Sequence, residues 1–520
     1  MKKILPYLLA TLMIATSALA GTAYRYSDSV TTVRGDAVGG ASVYVYLANT
    51  TTKVALYTGP STALQQATNP TTTDGYGRFT FFVEPGLYDL YVSGNNFTAY
   101  TLQDVRVFSD TDYTYNVLDY GAVAGDSTND TSAFQSAVAA AIAAGGGIVE
   151  VPDGTFKVAN LKVRGDNVTI RMSAASVIDC DSTAYAAINV DDSERFAMIG
   201  GKLSGPGQLV STSNGVLIDS CYAARFEDVE VEQFRNGIRA TSKTTHTLYS
   251  GLYFHDIKFT GLWPHSGDIV TGCRFEDIGT LSTHHGIYID EETSNVVLSG
   301  NYYKDITGAG VQIYSPSVGF SDISCTGEVF ERCGVGYIIA GTPAVRINIS
   351  GAVIDSCQNL ASTETITGVG IQLIGTARNV SIQAVVSYPD SLAFNSNVNL
   401  SDSTFDIAAV GSGLDGIRFY GKDCTGSFSV DDCAAIGFYM GAGMRNNLLV
   451  KARGNASNGI YLSGNSKRNL LNVISTNNLV GVGLAAGSDS NVVFGAAGAN
   501  SSSQLGNSGT GNVTTGLVQW

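Results

Sequence analysis

All five histidines of this 520-residue chain, His246, His255, His265, His284 and His285, fall in one forty-residue window. The last two sit in the stretch STHHGIYIDEETSNVVLSGN, where Tyr288 and the acids Asp290, Glu291 and Glu292 follow closely. Imidazole and phenol groups move protons when their surroundings tune them. A base of this kind can remove the proton α to a carboxylate, with a cation to hold the developing charge and an acid to help the leaving group. His265 or Tyr288 can serve as base and acid, His285 flanks them, and Arg239 can neutralise a substrate carboxylate. Asp290, Glu291 and Glu292 offer hard oxygen ligands of the kind calcium takes. Hydrolysis by two carboxylates astride the scissile bond is served less well, because Asp290 and Glu292 sit on one turn.

These residues can act together only if the backbone brings them to one face. A glycine-plus-apolar strand recurs as NGVLI at Gly215, NGIRA at Gly237, TGLWP at Gly261, HGIYI at Gly286 and AGVQI at Gly310, in steps of 22, 24, 25 and 24 residues. It returns at Gly370, Gly437, Gly459 and Gly483. One coil per repeat at a steady period is a solenoid signature. Strand side chains alternate, so Val216, Ile238, Leu262, Ile287 and Val311 should point inward and Leu217, Arg239, Trp263, Tyr288 and Gln312 outward. Thr241, His265, Asp290 and Tyr314 should form a second exposed row beside the first. Aromatic faces pack on sugar rings and charged groups fix orientation, so the strip reads as a sugar-binding groove. Arg239, Trp263, Gln312 and Tyr314 are its expected substrate contacts.

Other columns read as structural. His255 is placed with Glu227, Glu276 and Lys304 in the repeated F/Y-x-D-I/V units. Asn295, Asn379, Asn446, Asn469 and Asn491 read as an internal turn ladder. Cys333 and Cys357 lie one repeat of 24 residues apart, which predicts stacked cysteines within disulfide reach. The same spacing also suits two buried, reduced thiols.

Upstream, YNVLDYGAVAGDSTNDTSAFQSAVAAAIAAGGGIVEVPDGTFKV spans Tyr115 to Val158. Asp130 reads as a helix N-cap, Phe134, Val138 and Ile142 as a buried helix face, and Gly145 to Gly147 as a stop. This segment resembles the opening of the pectate-lyase superfamily. The resemblance implies a right-handed parallel β-helix over residues 113–520, with the α-helix capping its N-terminal end. Lyases, hydrolases, epimerases and phage tailspikes share that fold. GLWPHSGD and HHGIYIDEETSNVVLSGNYYKDITGAGVQI further resemble coils of the mannuronan C5-epimerases, which carry a Tyr and an Asp-Pro-His on the catalytic strand. Pro264-His265 match that pattern, but Trp263 stands where the Asp is expected. DDCAAIG, from Asp431 to Gly437, resembles the paired-aspartate strand of polygalacturonases, yet no histidine follows 285 to complete it.

Residues 21–112 alternate in short strands between turns such as TDGYGRF and EPG, which predicts a small antiparallel β-sandwich. VRGDAVGGASVYVY and TTTDGYGRFTFFVEPGLYDLYV resemble transthyretin-like or carboxypeptidase-regulatory-like modules, which space, attach or bind. Residues 1–20, MKKILPYLLATLMIATSALA, read as a secretory signal with Ala18-Leu19-Ala20 before the cut. No other stretch approaches a membrane span. With 45 acids against 30 bases, the net charge of −15 excludes nucleic acid or anionic membrane as partners of the overall field. The eight cysteines include no CxxC and no zinc-type spacing.

The expectation is an all-β secreted protein, extracellular or periplasmic: a sandwich, then a parallel β-helix. It should cleave an acidic extracellular polysaccharide, pectate- or alginate-like, by β-elimination, with calcium as the one cofactor in view. A C5-epimerase-like enzyme, a glycoside hydrolase and a non-catalytic glycan-binding adhesin are the alternatives. The oligomeric state is open.

Overall fold

The alternating N-terminal segments form two four-stranded antiparallel sheets in the computed structural model. One sheet orders Tyr24–Ser29, Arg78–Val83, Leu56–Tyr57 and Gln66–Ala67, and the other Thr71–Thr72, Ser42–Leu47, Gly86–Ser93 and Tyr100–Val107. Val43, Val45, Leu56, Phe79, Phe81, Leu90 and Val92 fill the core between them. The chain divides into compact units at Thr114 and Tyr115. The structure describes residues 23–519, apart from 33–36, 60–61, 63–65, 96, 108–113, 181–184, 209–212, 291–292, 316, 359–367 and 515–516. The leader at 1–20 therefore lies outside the described residues, as do Glu291 and Glu292. No helix among the described residues is long and apolar enough to cross a membrane.

The second unit opens on the helix Thr131–Ala143, which buries Ala133, Phe134, Ala137, Val138 and Ala141. Asp130 precedes it but does not cap it. Its carboxylate instead accepts the backbone N–H of Val123 at 2.9 Å and of Lys157 at 3.1 Å, tying the entry loop to the first coil. The chain then winds as a parallel solenoid of about 15 turns. In one coil, Asn236–Ala240, Leu248–Ser250 and Tyr253–His255 each pair in register with Thr260–Trp263, Ile269–Thr271 and Arg274–Ile278 of the next. The long strands Val335–Asp355 and Val369–Ser387 mark a change of cross-section. Beyond them two strands per coil pair onward, as in Thr404–Val410 with Thr425–Asp431 and Ile417–Phe419 with Phe438–Met440.

The glycine repeat has a packing cause. Phe254, Phe275, Tyr303 and Phe330 stack inside successive coils, with centroids 5.0, 5.1 and 4.6 Å apart and planes within 9°. A Cβ on Gly261 would meet the Phe275 ring at 2.8 Å and the Gly286 carbonyl oxygen at 2.7 Å. On Gly286 it would meet Tyr303 at 2.9 Å and the Gly310 carbonyl oxygen at 2.6 Å. The rings take the space that side chains on the facing strand would need.

Two expectations are corrected in the later coils. Asn446, Asn469 and Asn491 do form a buried ladder, each amide donating to the next at 3.0 and 2.9 Å, and Asn512 extends it at 3.1 Å. Asn295 and Asn379 do not belong to it: they are exposed residues within the strands Ser294–Ser299 and Val369–Ser387, with φ of 57° and 55°, a conformation Asn tolerates. A second ladder, Asn455, Asn478 and Asn500, runs along another corner. All eight cysteines are buried and free. Cys333 and Cys357 do occupy one column, since Glu331 pairs with Asp355. In-register parallel neighbours keep their Cβ atoms about 4.8 Å apart, beyond the roughly 3.8 Å a disulfide prefers. The Cys333 thiol donates instead to the Tyr303 and Glu331 carbonyls.

Gly286→Ala should lower stability by about 1–3 kcal/mol in denaturant unfolding, as overpacking does. Gly506→Ala should leave it nearly unchanged, because an added methyl there meets nothing within 4 Å. Thiol titration should find eight reactive groups in the denatured protein and almost none in the folded one. Six groups after denaturation without reductant would restore the Cys333–Cys357 pairing.

Candidate functional site

The register of four neighbouring strands builds the site. Asn236–Ala240, Thr260–Trp263, His285–Ile289 and Ala309–Ser315 lie side by side, pairing Arg239 with Trp263, Leu262 with Ile287, and Tyr288 with Gln312. Ile238, Leu262, Ile287 and Val311 are buried, so the alternate residues must face out. They line a cleft of about 690 Å³ that brings together Arg239, Trp263, His285, Tyr288, Asp290, Gln312 and Tyr314. Phe259, Ser282, Thr283, Ile338, Ala340 and Ile374 complete its lining. These further residues come from turns and from later coils whose contribution the repeat pattern alone does not reveal.

Aromatic contacts order the cleft. The Arg239 guanidinium lies 4.3 Å from the Trp263 ring centroid. Trp263 and Tyr288 approach at 5.4 Å with planes tilted by 42°, and Tyr288 lies over His285 at 5.7 Å and 14°. Arg239 forms no ion pair among the described residues. The Trp263 Nε1 is buried without a hydrogen-bond partner among them, an unsatisfied donor at the edge of the cleft.

The histidines depart from the exposed row. The strand carrying Trp263 ends there, and Pro264 turns the chain, so alternation no longer governs His265. His265 is only 4% exposed and lies behind Asp290, with Nδ1 3.6 Å from Asp290 Oδ1 and 3.5 Å from Thr293 Oγ1. Burial holds its pKa below the ordinary range, although Asp290 and the Ala240 carbonyl act the other way. His285 is also buried. Its Nδ1 accepts the Ala309 backbone N–H at 3.1 Å, and burial with His284 beside it pushes its pKa down to about 3. It is therefore a neutral support beneath Tyr288 rather than a flanking base. His284 accepts from the Thr280 backbone N–H at 3.0 Å and packs on Phe259 at 4.2 Å, and burial lowers its pKa. His246 is exposed and packs on Tyr222 at 5.1 Å.

His255 stands in a different column, as expected, but its neighbours are Glu232, Glu276 and Lys304; Glu227 pairs with Ser250 instead. Its ring contacts Asp256 at 2.8 Å and Glu230 at 3.1 Å. Burial opposes its protonation, but the hydrogen bonds to those acids prevail and raise the pKa. Glu230, Glu232 and His255 are close enough to share a metal ion. The Lys202 ammonium already lies 2.6 Å from Glu230 and 3.0 Å from Glu232, so the cluster carries its own cation.

Of the expected calcium ligands, Asp290 lines the cleft, while Glu291 and Glu292 lie outside the described residues. Asp290 is the one carboxylate among the residues lining the cleft, while such a site takes 6–8 oxygens.

Asp268 is the functional neighbour that pattern reading missed. Three residues after His265, it accepts the His265 backbone N–H at 2.8 Å and the Thr247 backbone N–H at 2.7 Å, fixing the turn that buries the imidazole. The H-x-x-D spacing of a side-chain-to-backbone turn was its available signal. Burial pushes its pKa up to about 7, against those two hydrogen bonds. A raised acid pKa means the folded state holds the proton more tightly than the unfolded chain, so this group's contribution falls as pH rises from about 4 to about 7. Asp268→Asn should therefore be less stable than wild type at pH 5, with the gap narrowing by pH 8 in thermal unfolding. A gap independent of pH would show that Asp268 does not titrate there.

Residues 186–386 match a family model described as a right-handed beta helix region. No curated protein sequence matches the chain. Similar solved structures include the A-module of mannuronan C-5 epimerase AlgE6 of Azotobacter vinelandii, at 18% identity over 78% of this chain and 99% of that one, TM-score 0.39. The family 28 exopolygalacturonase of Yersinia enterocolitica is similar at 11% identity over 95% and 97%, TM-score 0.42. PfbA, a surface adhesin of Streptococcus pneumoniae, is similar at 13% identity over 78% and 94%, TM-score 0.41. At such identities the likeness concerns the winding of the chain alone. The family match and the coil-by-coil register show the second unit to be a right-handed parallel β-helix.

Proposed function

We propose that this protein is an exported enzyme that cleaves an acidic polysaccharide of the pectate or alginate type by β-elimination. The observation that carries the reading is Arg239, a guanidinium stacked on Trp263 in the cleft with no carboxylate partner among the described residues. A cation placed so can take a substrate carboxylate and hold the charge that develops when the α proton leaves. Tyr288 is the proton-transfer group that lines the cleft beside it. As the phenolate it takes the C5 proton while the C4–O bond breaks and a C4–C5 double bond forms, and the phenol so formed passes that proton to the leaving oxygen. Trp263 and Tyr314 offer faces to sugar rings, and Gln312 a hydrogen-bonding amide. His265 acts through Asp290, which it backs at 3.6 Å.

A second reading shares the first half of this chemistry. Proton abstraction followed by reprotonation from the opposite face inverts C5 without cleavage. Asp290, lining the cleft with His265 behind it, is the second proton carrier that epimerisation needs. The leader at residues 1–20 supports action outside the cytoplasm, where such polymers lie.

Incubation with alginate and with polygalacturonate separates these outcomes. β-Elimination gives unsaturated-product absorbance together with new reducing ends. Reducing ends alone mean hydrolysis, a changed uronate composition without cleavage means epimerisation, and binding without turnover means an adhesin. On the responsive polymer, Tyr288→Phe should lower kcat by about 100-fold, the usual scale for a lost acid–base group. Arg239→Ala should lower kcat/KM by at least about tenfold. His265→Ala and Asp290→Asn should each cost about tenfold, with folding intact. Full activity in Tyr288→Phe would remove the cleft from consideration.

A further inference from the structure

We infer that the same face of the solenoid carries a second carbohydrate-binding platform, built from Tyr420, Tyr439 and Tyr461, which holds a remote stretch of the polysaccharide engaged by the cleft. The inference rests on the cleft reading above and extends it along the fold.

The first of the two outward rows that build the cleft does not end with it. From Tyr288 the first row continues in unbroken register through Gln372 and Arg418 to Tyr439 and Tyr461. Tyr420, just past the strand Ile417–Phe419, joins this row through the contact of its ring with Tyr439. Tyr439 is six coils from Tyr288, roughly 29 Å at about 4.8 Å per coil. A path of that length along one row of paired residues suits a linear polymer and is beyond the reach of a short oligomer.

The tyrosines are disposed as a platform. Tyr439 and Tyr461 are stacked at 5.9 Å and 23°, and Tyr420 joins them at 6.1 Å. All three are half-buried. The rings lean on glycines of the next coil: a Cβ on Gly483 would meet the Tyr461 ring at 2.9 Å, and one on Gly441 would clash with the Tyr420 ring. With no side chain beneath, the rings can lie down on the sheet, the posture in which an aromatic residue offers its face to a pyranose.

The local charge selects the occupant. The chain as a whole is strongly acidic, at −15. Yet a cavity of about 730 Å³ beside Tyr420 is lined by Lys422, Asn399, Ser401 and Thr376 and by no carboxylate. Arg418 stands at the edge of the platform, its Nε donating to the buried Asp415 at 2.8 Å. Asp415 is held in turn by the Ile436 backbone N–H at 2.9 Å. The remaining guanidinium nitrogens make no hydrogen bond among the described residues. A polyanionic glycan meets the Lys422 ammonium and flat rings here, as it meets Arg239 and Trp263 in the cleft. Binding at two places on one polymer strengthens retention without new chemistry.

The test is affinity electrophoresis of the full-length protein in gels containing polygalacturonate or alginate, with turnover of trisaccharides of the same uronates measured in parallel. Tyr439→Ala/Tyr461→Ala should weaken polymer retardation by about tenfold, the scale expected for two lost rings. Trisaccharide turnover should not change. Tyr439→Phe/Tyr461→Phe keeps both rings and should keep polymer binding. Polymer retardation of the alanine pair equal to wild type overturns the platform, while a weakened Trp263→Ala in the same gel leaves the cleft reading standing. A drop in thermal midpoint that the phenylalanine pair shares, or lost trisaccharide turnover, assigns these tyrosines to the fold and likewise overturns it. If neither polymer retards the wild-type protein, the cleft reading fails first and this inference with it.

Discussion

Everything in the second unit depends on parallel strands pairing in register one coil apart. That pairing satisfies the backbone along the whole solenoid and leaves each residue beside its counterpart in the next coil. The interior is a set of columns, and each column must be internally compatible. Phe254, Phe275, Tyr303 and Phe330 can stack because Gly261, Gly286 and Gly310 stand clear of them. The exterior obeys the same rule. Arg239, Trp263 and Tyr288 meet because they hold one position on three successive coils. A site on such a fold is written down a column, and its members can be far apart in the chain.

Burial pushes the polar groups under the cleft toward their uncharged states. His265 and His285 are both pushed toward neutrality, and the Asp268 carboxyl is pushed up to about 7. Charges in a medium of low dielectric interact more strongly than in water. Beneath Arg239 and Tyr288 the protein thus supplies little mobile charge to compete with a ligand. His265 keeps Asp290 in place without itself reaching the cleft lining.

Much of this arrangement was legible in the repeat. The glycine spacing marked the coil, and alternation placed Arg239, Trp263, Tyr288 and Gln312 on one outward row, where they are found. Alternation holds only while a strand lasts. His265 follows Pro264 outside the strand and turns inward, and His285 faces a backbone donor of the next coil that no spacing rule reveals. Asp130 looked like a helix cap, but the loop it anchors is closed by residues far along the chain. The asparagines divided for a similar reason. Asn446 and Asn491 have stacked partners to bond, whereas Asn295 and Asn379 take the left-handed backbone within their strands and face solvent. Cys333 and Cys357 do stand in one column, Glu331 pairing with Asp355, and both thiols are free.

The departure at Trp263 has a physical consequence beyond a broken motif. The resembled C5-epimerase pattern has an aspartate at that place, one coil from Arg239 in this register. An acid there would stand beside the guanidinium and compete for its charge. Trp263 instead gives Arg239 a flat aromatic support at 4.3 Å, an arrangement that holds the cation without neutralising it. The unsatisfied indole N–H at the same spot adds a donor aimed at no protein acceptor among the described residues. One exchange thus trades an internal ion pair for a cation available to a ligand. On this ground the acidic-substrate reading draws on the very residue that breaks the motif, and the motif's absence does not weigh against it.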